Sequence, residues 1–590
     1  MAAHGGRKRT ALYPQLIEAA LRQHEQLPLR AEQHGNYGDL FVDTHQLELL
    51  RNPDWQVIFG RRGTGKTFLL GMLAEEGKRA RDVLTINLTA QDFLVSPVSA
   101  RVSDHVRAHA YFQTFLELML GKLAGAVESW IRAQRVTKAR AVARMEDLVL
   151  ELLQLAEDGR PVRAFDSVEW TSTDSEDSHK RRGRDIDARI DIGSNRLGGR
   201  ITGGFGRGSG SSADSERSRI RRGEPVPRYG EVRQKLGDVV ELLDFAQVNI
   251  QIDEWSVLDD SATTAIQPEF AELLKRTLAG IPRVSVKIAT NRYQTRLNNR
   301  GSSERYRGLE VDADIFVATN LDRALHGIDD LSSFYETLLF RRMRHVERGL
   351  AVFDPYQQDQ PDPEFLLAMF RDRSAFEQLV KGAEGNPRDF LLMFKRLARY
   401  VSYKLDSPWT TATVMQIVRE SSIEGQDEIE YESVANTLLT GAVKEVVTTT
   451  RSRFFAVIRD DFGRFEDALD ELLEKRLIHE FPREDLPPET RDRFRGYLVD
   501  YGLWLDWERA VATAAGVTEP AEEALPDLSL NGMNAHVIDP SAVDTTSLIV
   551  CIECEALFPE HARSYQLEKL CPECFRPAHR DGDADGNSTK

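Results

Sequence analysis

A chain of 590 residues with 41% hydrophobic and 29% charged side chains is too long for one core, and its length suggests about three to five domains. A net charge of −17 argues against a protein coated in basic surface for non-specific nucleic-acid binding. No apolar stretch is long enough to span a bilayer and no apolar signal core follows the basic start MAAHGGRKRT, so a cytoplasmic protein without a membrane partner is expected.

Residues 1–36 read as an N-terminal helical extension, with Leu16, Ile17, Ala20 and Leu21 on one side of a helix over Tyr13–His24. The buried-strand run Val57-Ile58-Phe59 then empties into Gly60-Arg61-Arg62-Gly63-Thr64-Gly65-Lys66-Thr67, and an amphipathic stretch starting at Phe68 follows. This is G-x-x-x-x-G-K-[ST] in the strand–loop–helix setting that the motif requires. The glycines let main-chain N–H groups converge on phosphate oxygens, and the helix start adds its positive dipole end. Gly60, Gly63, Thr64, Gly65 and Phe68 belong to that cradle. Lys66 is expected to reach the β- and γ-phosphates of a nucleotide and Thr67 to hold Mg2+.

Val83–Leu88 reads as the next strand, with the polar Asn87 near its end, and helical patterns run from about Asp104 to Ala156. Residues 159–228, rich in Gly, Ser, Arg and Asp, read as an inserted flexible loop. Inside it Ile186–Ile192 alternates at period two, and Arg200-Ile201-Thr202 is its expected hairpin partner. The basic islands His179–Arg184 and Arg217–Arg222 lie in the same loop and read either as a local basic face or as solvated chain.

The apolar strand Val248–Ile252 ends in Asp253-Glu254. A phosphate-loop ATPase needs such a pair opposite Lys66 and Thr67: Asp253 to organise Mg2+ through Thr67 and water, Glu254 to take a proton from the attacking water. A helix over Pro268–Leu278 leads to the strand Val284–Thr290, which would set Asn291 beside the γ-phosphate to orient water. Ile315–Asn320 repeats the Thr-Asn ending, so the sequence leaves two strands competing for that place.

The order phosphate loop, strand ending Asp-Glu, strand ending Thr-Asn resembles the AAA+ ATPases, nearest to the initiator or origin-recognition-complex branch. The resemblance implies an α/β P-loop NTPase core with a parallel sheet, a helical lid and a winged helix, and it prefers ATP over GTP. It implies that Asn87 contacts Glu254 and that Arg388, in Gly385-Asn386-Pro387-Arg388 at the head of a lid helix, senses the γ-phosphate. No single arginine announces itself as a finger completing a neighbour's site; Arg296, Arg300 and Arg307 all stand in the right interval. Whether hydrolysis requires a homo-oligomer stays open.

The expected segments are the ATPase core over 37–345, the lid over 346–425 and a winged-helix-like domain over 426–510. In the last, helices over Glu430–Thr448, Phe454–Arg459 and Phe465–Arg476 precede strands at Leu477–Phe481 and Phe494–Leu505. Its last helix is acidic, which suits a protein contact, while Arg491, Arg493 and Arg495 offer a basic cluster for DNA. Residues 511–546 read as a linker, 547–578 as a zinc ribbon and 579–590 as a disordered tail. Cys551-x-x-Cys554 and Cys571-x-x-Cys574 use every cysteine of the chain and have the spacing of a closed, structural Zn2+ site. Two uses of the nucleotide engine stand side by side: an initiator-like ATPase linked to DNA or a protein partner, and a STAND-type signalling or defence switch that self-assembles with nucleotide and does not bind DNA.

Overall fold

A computed structural model describes residues 3–29, 38–80, 83–94, 104–134, 147–148, 150–151, 190–191, 200–201, 229–243, 246–259, 266–299, 307–322, 328–354, 361–405, 407–427, 429, 433–459, 465–516, 523–538, 548–551, 557–559, 565, 569–571 and 576. The chain divides into two compact units: a sheet unit of residues 45–60 and 66–321, and a helical unit of residues 1–44, 61–65 and 322–590.

The strands of the sheet unit are β1 (Gln56–Phe59), β2 (Val83–Thr89), β3 (Ile190–Asp191), β4 (Arg200–Ile201), β5 (Gln247–Asp253), β6 (Val284–Thr290) and β7 (Phe316–Asn320). Five of them form one parallel sheet in the order β2-β5-β6-β1-β7. Burial explains their composition: β6 is buried at every position and β5 at five of seven, as expected where helices cover both faces of a parallel sheet. The short β3–β4 hairpin, with Ile190 opposite Ile201, is the pairing that the alternation in the insertion predicts. The remaining residues of the insertion lie outside the described ones.

The Asp104–Gln134 and Ile266–Leu278 helices pack on each other beside the sheet. Phe270 is the hub, its ring centroid 5.2–5.9 Å from those of Phe112, Trp255, Phe115 and Phe93. Rings at these spacings bury large apolar area and lock the helix faces in register. Among the described residues of this unit Lys287, in β6, is a buried cation, and it donates to the Asp54 carbonyl at 2.9 Å, to the Asn52 carbonyl and to Gln56 Oε1.

The helical unit starts with Ala3–Gln26, longer than the Tyr13–His24 helix expected from periodicity. Lys395 caps its last carbonyls, donating to Glu25 O at 2.8 Å and Leu27 O at 2.9 Å, which satisfies acceptors the helix end leaves bare. Ile328–Val346, Arg373–Ala383, Pro387–Tyr400 and Thr411–Gln426 follow as helices. Asp372, Asn386 and Thr410 cap the last three by accepting from backbone N–H groups. The Ile328–Val346 helix groups with this unit, although the sequence boundary at residue 345 assigns it to the core.

Further on, Val434–Leu438 continues through a π turn into Lys444–Thr450. Strands β8 (Phe454–Ile458), β9 (Ile478–Glu480) and β10 (Phe494–Val499) form an antiparallel sheet in the order β8-β10-β9, with the Glu466–Glu474 helix between β8 and β9. Two expectations are corrected here. Phe454–Arg459 is not a helix: five consecutive apolar, mainly aromatic and β-branched residues pair along β10 as a buried strand. The strand expected over Phe494–Leu505 stops at Val499, because Asp500 accepts from Leu503 N at 3.0 Å and starts the Tyr501–Ala514 helix. Part of the stretch read as a linker is also packed. Ala456 N bonds to His536 O at 2.8 Å and Ile538 N to Ala456 O at 3.0 Å, so this piece runs beside β8. Strands β11 (Leu548–Val550) and β12 (Leu557–Pro559) form a small antiparallel pair next to Cys551.

Candidate functional site

The end of β1 lies between β6 and β7, with Phe59 level with Thr290 on one side and Asn320 on the other. Gly60 N donates to Thr290 O at 3.2 Å and Leu321 N to Phe59 O at 2.8 Å. Both Thr-Asn endings therefore flank the strand that feeds the loop, which is why the sequence could not choose between them. Asn291 Nδ2 donates to Gln294 Oε1 at 3.3 Å.

Lys66 opens the helix Lys66–Ala80, and its Nζ reaches back 2.6 Å to Gly60 O, across the loop's own span. Thr67 Oγ1 donates to Asp253 Oδ2 at 2.6 Å. The other Asp253 oxygen accepts from Glu254 N at 2.8 Å, so both oxygens of this carboxylate are oriented. Glu254 has φ 57°, the left-handed region that a non-glycine residue enters at a cost and that clusters at functional positions. Its carbonyl accepts from Val257 N at 3.0 Å, and the buried Trp255 begins the 3-10 turn that follows. Hydroxyl and carboxylate oxygens so placed are the hard donors that suit Mg2+.

In the register of β2 and β5, Thr89 rather than Asn87 is level with Asp253; Asn87 is level with Gln251, and its carbonyl accepts from Lys122. Of the finger candidates, Arg307 pairs with Glu269 at 2.6 Å and Arg296 N donates to Gln267 Oε1 at 2.8 Å. Arg300 lies outside the described residues.

The middle of the loop, Arg61–Gly65, groups with the helical unit. Arg61 is buried there. Its backbone N donates to Asp322 Oδ1 at 3.0 Å, its Nε to the same oxygen at 3.1 Å, and an Nη atom to Glu384 O at 3.1 Å. The remaining Nη contacts His479 Nδ1, on β9. Gly63 and Gly65 both take φ +98°, where only glycine is unstrained. At Gly63 a Cβ would lie 2.6 Å from Asn386 Oδ1 and 2.7 Å from Arg388 Cβ. Asn386 Nδ2 donates to Arg62 O at 3.0 Å, while its Oδ1 accepts from Arg388 N at 3.0 Å and caps the Pro387–Tyr400 helix. The Gly-Asn-Pro-Arg run is thus seated against the loop's Gly63.

Burial and neighbouring charges shift the titratable groups of this cluster. Burial drives the His479 imidazole down to about 3, with the Arg61 charge acting the same way. Burial pushes the Asp389 carboxyl up against the pull of Arg476, Arg61 and Arg388. Asp322, Glu384 and His479 had no signal in the sequence, since each is an ordinary polar residue far along the chain from the loop it touches. Cys551 and Cys571 are both buried, and Cys554 and Cys574 lie outside the described residues.

Among the described residues no helix is long and apolar enough to cross a membrane. No protein-family model and no curated protein matches the chain. Among solved structures it is similar to the Aeropyrum pernix ORC1 protein in complex with DNA, with 11% identity, coverage of 81% of this chain and 95% of that one, and a TM-score of 0.28. At that score the reading of the site rests on its own geometry.

Proposed function

We propose that the chain is a Mg2+-dependent P-loop ATPase of AAA+ type. The observation that supports it most directly is the Thr67–Asp253 bond of 2.6 Å, which joins the end of the phosphate-loop motif to the acidic end of β5. The loop's glycines and the first N–H groups of the Lys66–Ala80 helix bind the triphosphate, and Lys66 leaves Gly60 O for a phosphate oxygen. Thr67 and Asp253 hold Mg2+, which neutralises charge on the phosphates when bound. Glu254 accepts the proton of the attacking water and Asn291 orients that water. Arg388, beside Gly63, reports the phosphate to the lid helix that it heads. Residues 426–510 serve as a winged-helix-like module that takes DNA or a protein partner, and the four cysteines hold a structural Zn2+.

The contact of Arg61 with His479 supports the switch reading beside the initiator-like ATPase, because it ties the loop to the module carrying β9. In that reading nucleotide occupancy sets the state of the C-terminal module and turnover is slow. The experiment is ATP binding and turnover of the full chain with Lys66→Ala and Glu254→Gln, with and without DNA, alongside solution mass with ATP. Lys66→Ala should lose binding and Glu254→Gln should bind and stall. Equal turnover in all three refutes the ATPase reading; assembly with ATP and no DNA effect selects the switch.

A further inference from the structure

His105 and His109 stand one turn apart on the Asp104–Gln134 helix, opposite Glu269 on the Ile266–Leu278 helix, all within the sheet unit. His105 Nδ1 is 3.0 Å and His109 Nε2 3.6 Å from the same oxygen, Glu269 Oε1. The two imidazole centroids are 4.5 Å apart, and one ligand atom from each of the three residues lies within 4.8 Å of the others. We propose that His105, His109 and Glu269 form a binding site for a divalent transition-metal ion of the zinc class, distinct from the nucleotide site and from the cysteine knuckles.

The donor set is two imidazole nitrogens and one carboxylate oxygen, the borderline mixture that Zn2+ selects over Mg2+ or Ca2+. Metal–ligand bonds of about 2.0–2.2 Å in tetrahedral geometry put ligand atoms roughly 3.3–3.5 Å apart. The separations of 3.0 and 3.6 Å straddle that range, so an ion can replace the direct contacts with small side-chain shifts.

The surroundings are those of ligands held in place. His109 turns its Nδ1 to the Tyr229 hydroxyl at 3.0 Å, which fixes the ring and leaves Nε2 for the ion. Arg307 binds Glu269 Oε2 at 2.6 Å, so Oε1 is the oxygen aimed at the histidines. Phe270, next in sequence, anchors the helix in the aromatic core, and sites on rigid elements hold geometry best. The His105 side chain is 56% exposed, which supplies the path of entry, and three protein ligands leave a coordination position for water.

The test uses the full chain without nucleotide. Zinc content after equilibrium dialysis is measured for wild type, His105→Ala and Glu269→Gln, with Co2+ spectra to separate thiolate sites from nitrogen and oxygen sites. Both variants should lose one zinc equivalent while the Co2+–thiolate signal stays unchanged. His105→Ala removes an exposed side chain, so its fold is retained even if Glu269→Gln misfolds, and its circular dichroism checks this. Tyr229→Phe should weaken zinc binding by about 10–100-fold, the effect of losing a partner to a metal-bound histidine. Equal zinc content in wild type and His105→Ala overturns the proposal and leaves the three residues as an ion-paired cluster. The outcome does not depend on ATP turnover.

Discussion

Thr67 Oγ1 and Asp253 Oδ2 meet at 2.6 Å although 186 residues separate them in sequence. The pair converts two motifs that are each common by themselves into one site. Asp253→Asn keeps the shape but replaces an anionic oxygen by an amide, which on the proposed function weakens the hold on Mg2+. Turnover should fall roughly a hundredfold and the Mg2+ concentration for half-maximal rate should rise. Turnover unchanged over a Mg2+ titration would remove Asp253 from the site.

Gly63 and Gly65 share the same φ but not the same surroundings. Alanine at either position carries the left-handed strain of about 1–2 kcal/mol. Only at Gly63 does the added carbon also meet Asn386 and Arg388, at 2.6 and 2.7 Å, whereas at Gly65 nothing lies within 4 Å. Gly63→Ala should therefore lower nucleotide-free thermal stability more than Gly65→Ala. Equal melting temperatures would show that Asn386 and Arg388 do not rest on the loop.

His479 gives the helical unit a signed pH response. Its imidazole is lowered from 6.5 to about 3 by burial and by Arg61, with Arg453 acting the same way and Glu384 and Asp322 opposing. Unfolded chain binds a proton below pH 6.5 that the folded chain refuses until about pH 3. Its contribution to stability is thus complete above pH 6.5 and lost as pH falls through that window, by at most about 1.4 kcal/mol per pH unit. Asp389 and Asp500, raised by burial, act in the opposite direction. Denaturant melts of His479→Gln and wild type from pH 7 to 4 should converge as pH falls, and a constant gap between them would contradict this assignment.

Lys287→Met should cost about 2–4 kcal/mol. The substitution keeps the apolar stem but strips a donor from three acceptors, Asn52 O, Asp54 O and Gln56 Oε1. A urea titration of the full chain with and without the substitution measures it, and a neutral result would mean that water replaces the ammonium.

The sequence alone determined the elements whose chemistry is local. The buried runs of β1, β5 and β6, the glycines of the loop and the Asp-Glu ending of β5 follow from residue type and spacing, because a covered parallel strand must be apolar and a phosphate cradle must lack Cβ atoms. The helix headed by Gly385-Asn386-Pro387-Arg388 was legible in the sequence as well, though not the capping role of Asn386. Tertiary structure decided the rest. Only strand order could show that Thr290, just before Asn291, and Asn320 both border β1, and only register could set Thr89 instead of Asn87 level with Asp253. Phe454–Ile458 has no periodicity that separates strand from helix; its partner β10 settles it. The partners of Arg61, namely Asp322, Glu384 and His479, and the meeting of His105 and His109 with Glu269 join residues distant in sequence, and long-range contacts of this kind leave no mark on local composition.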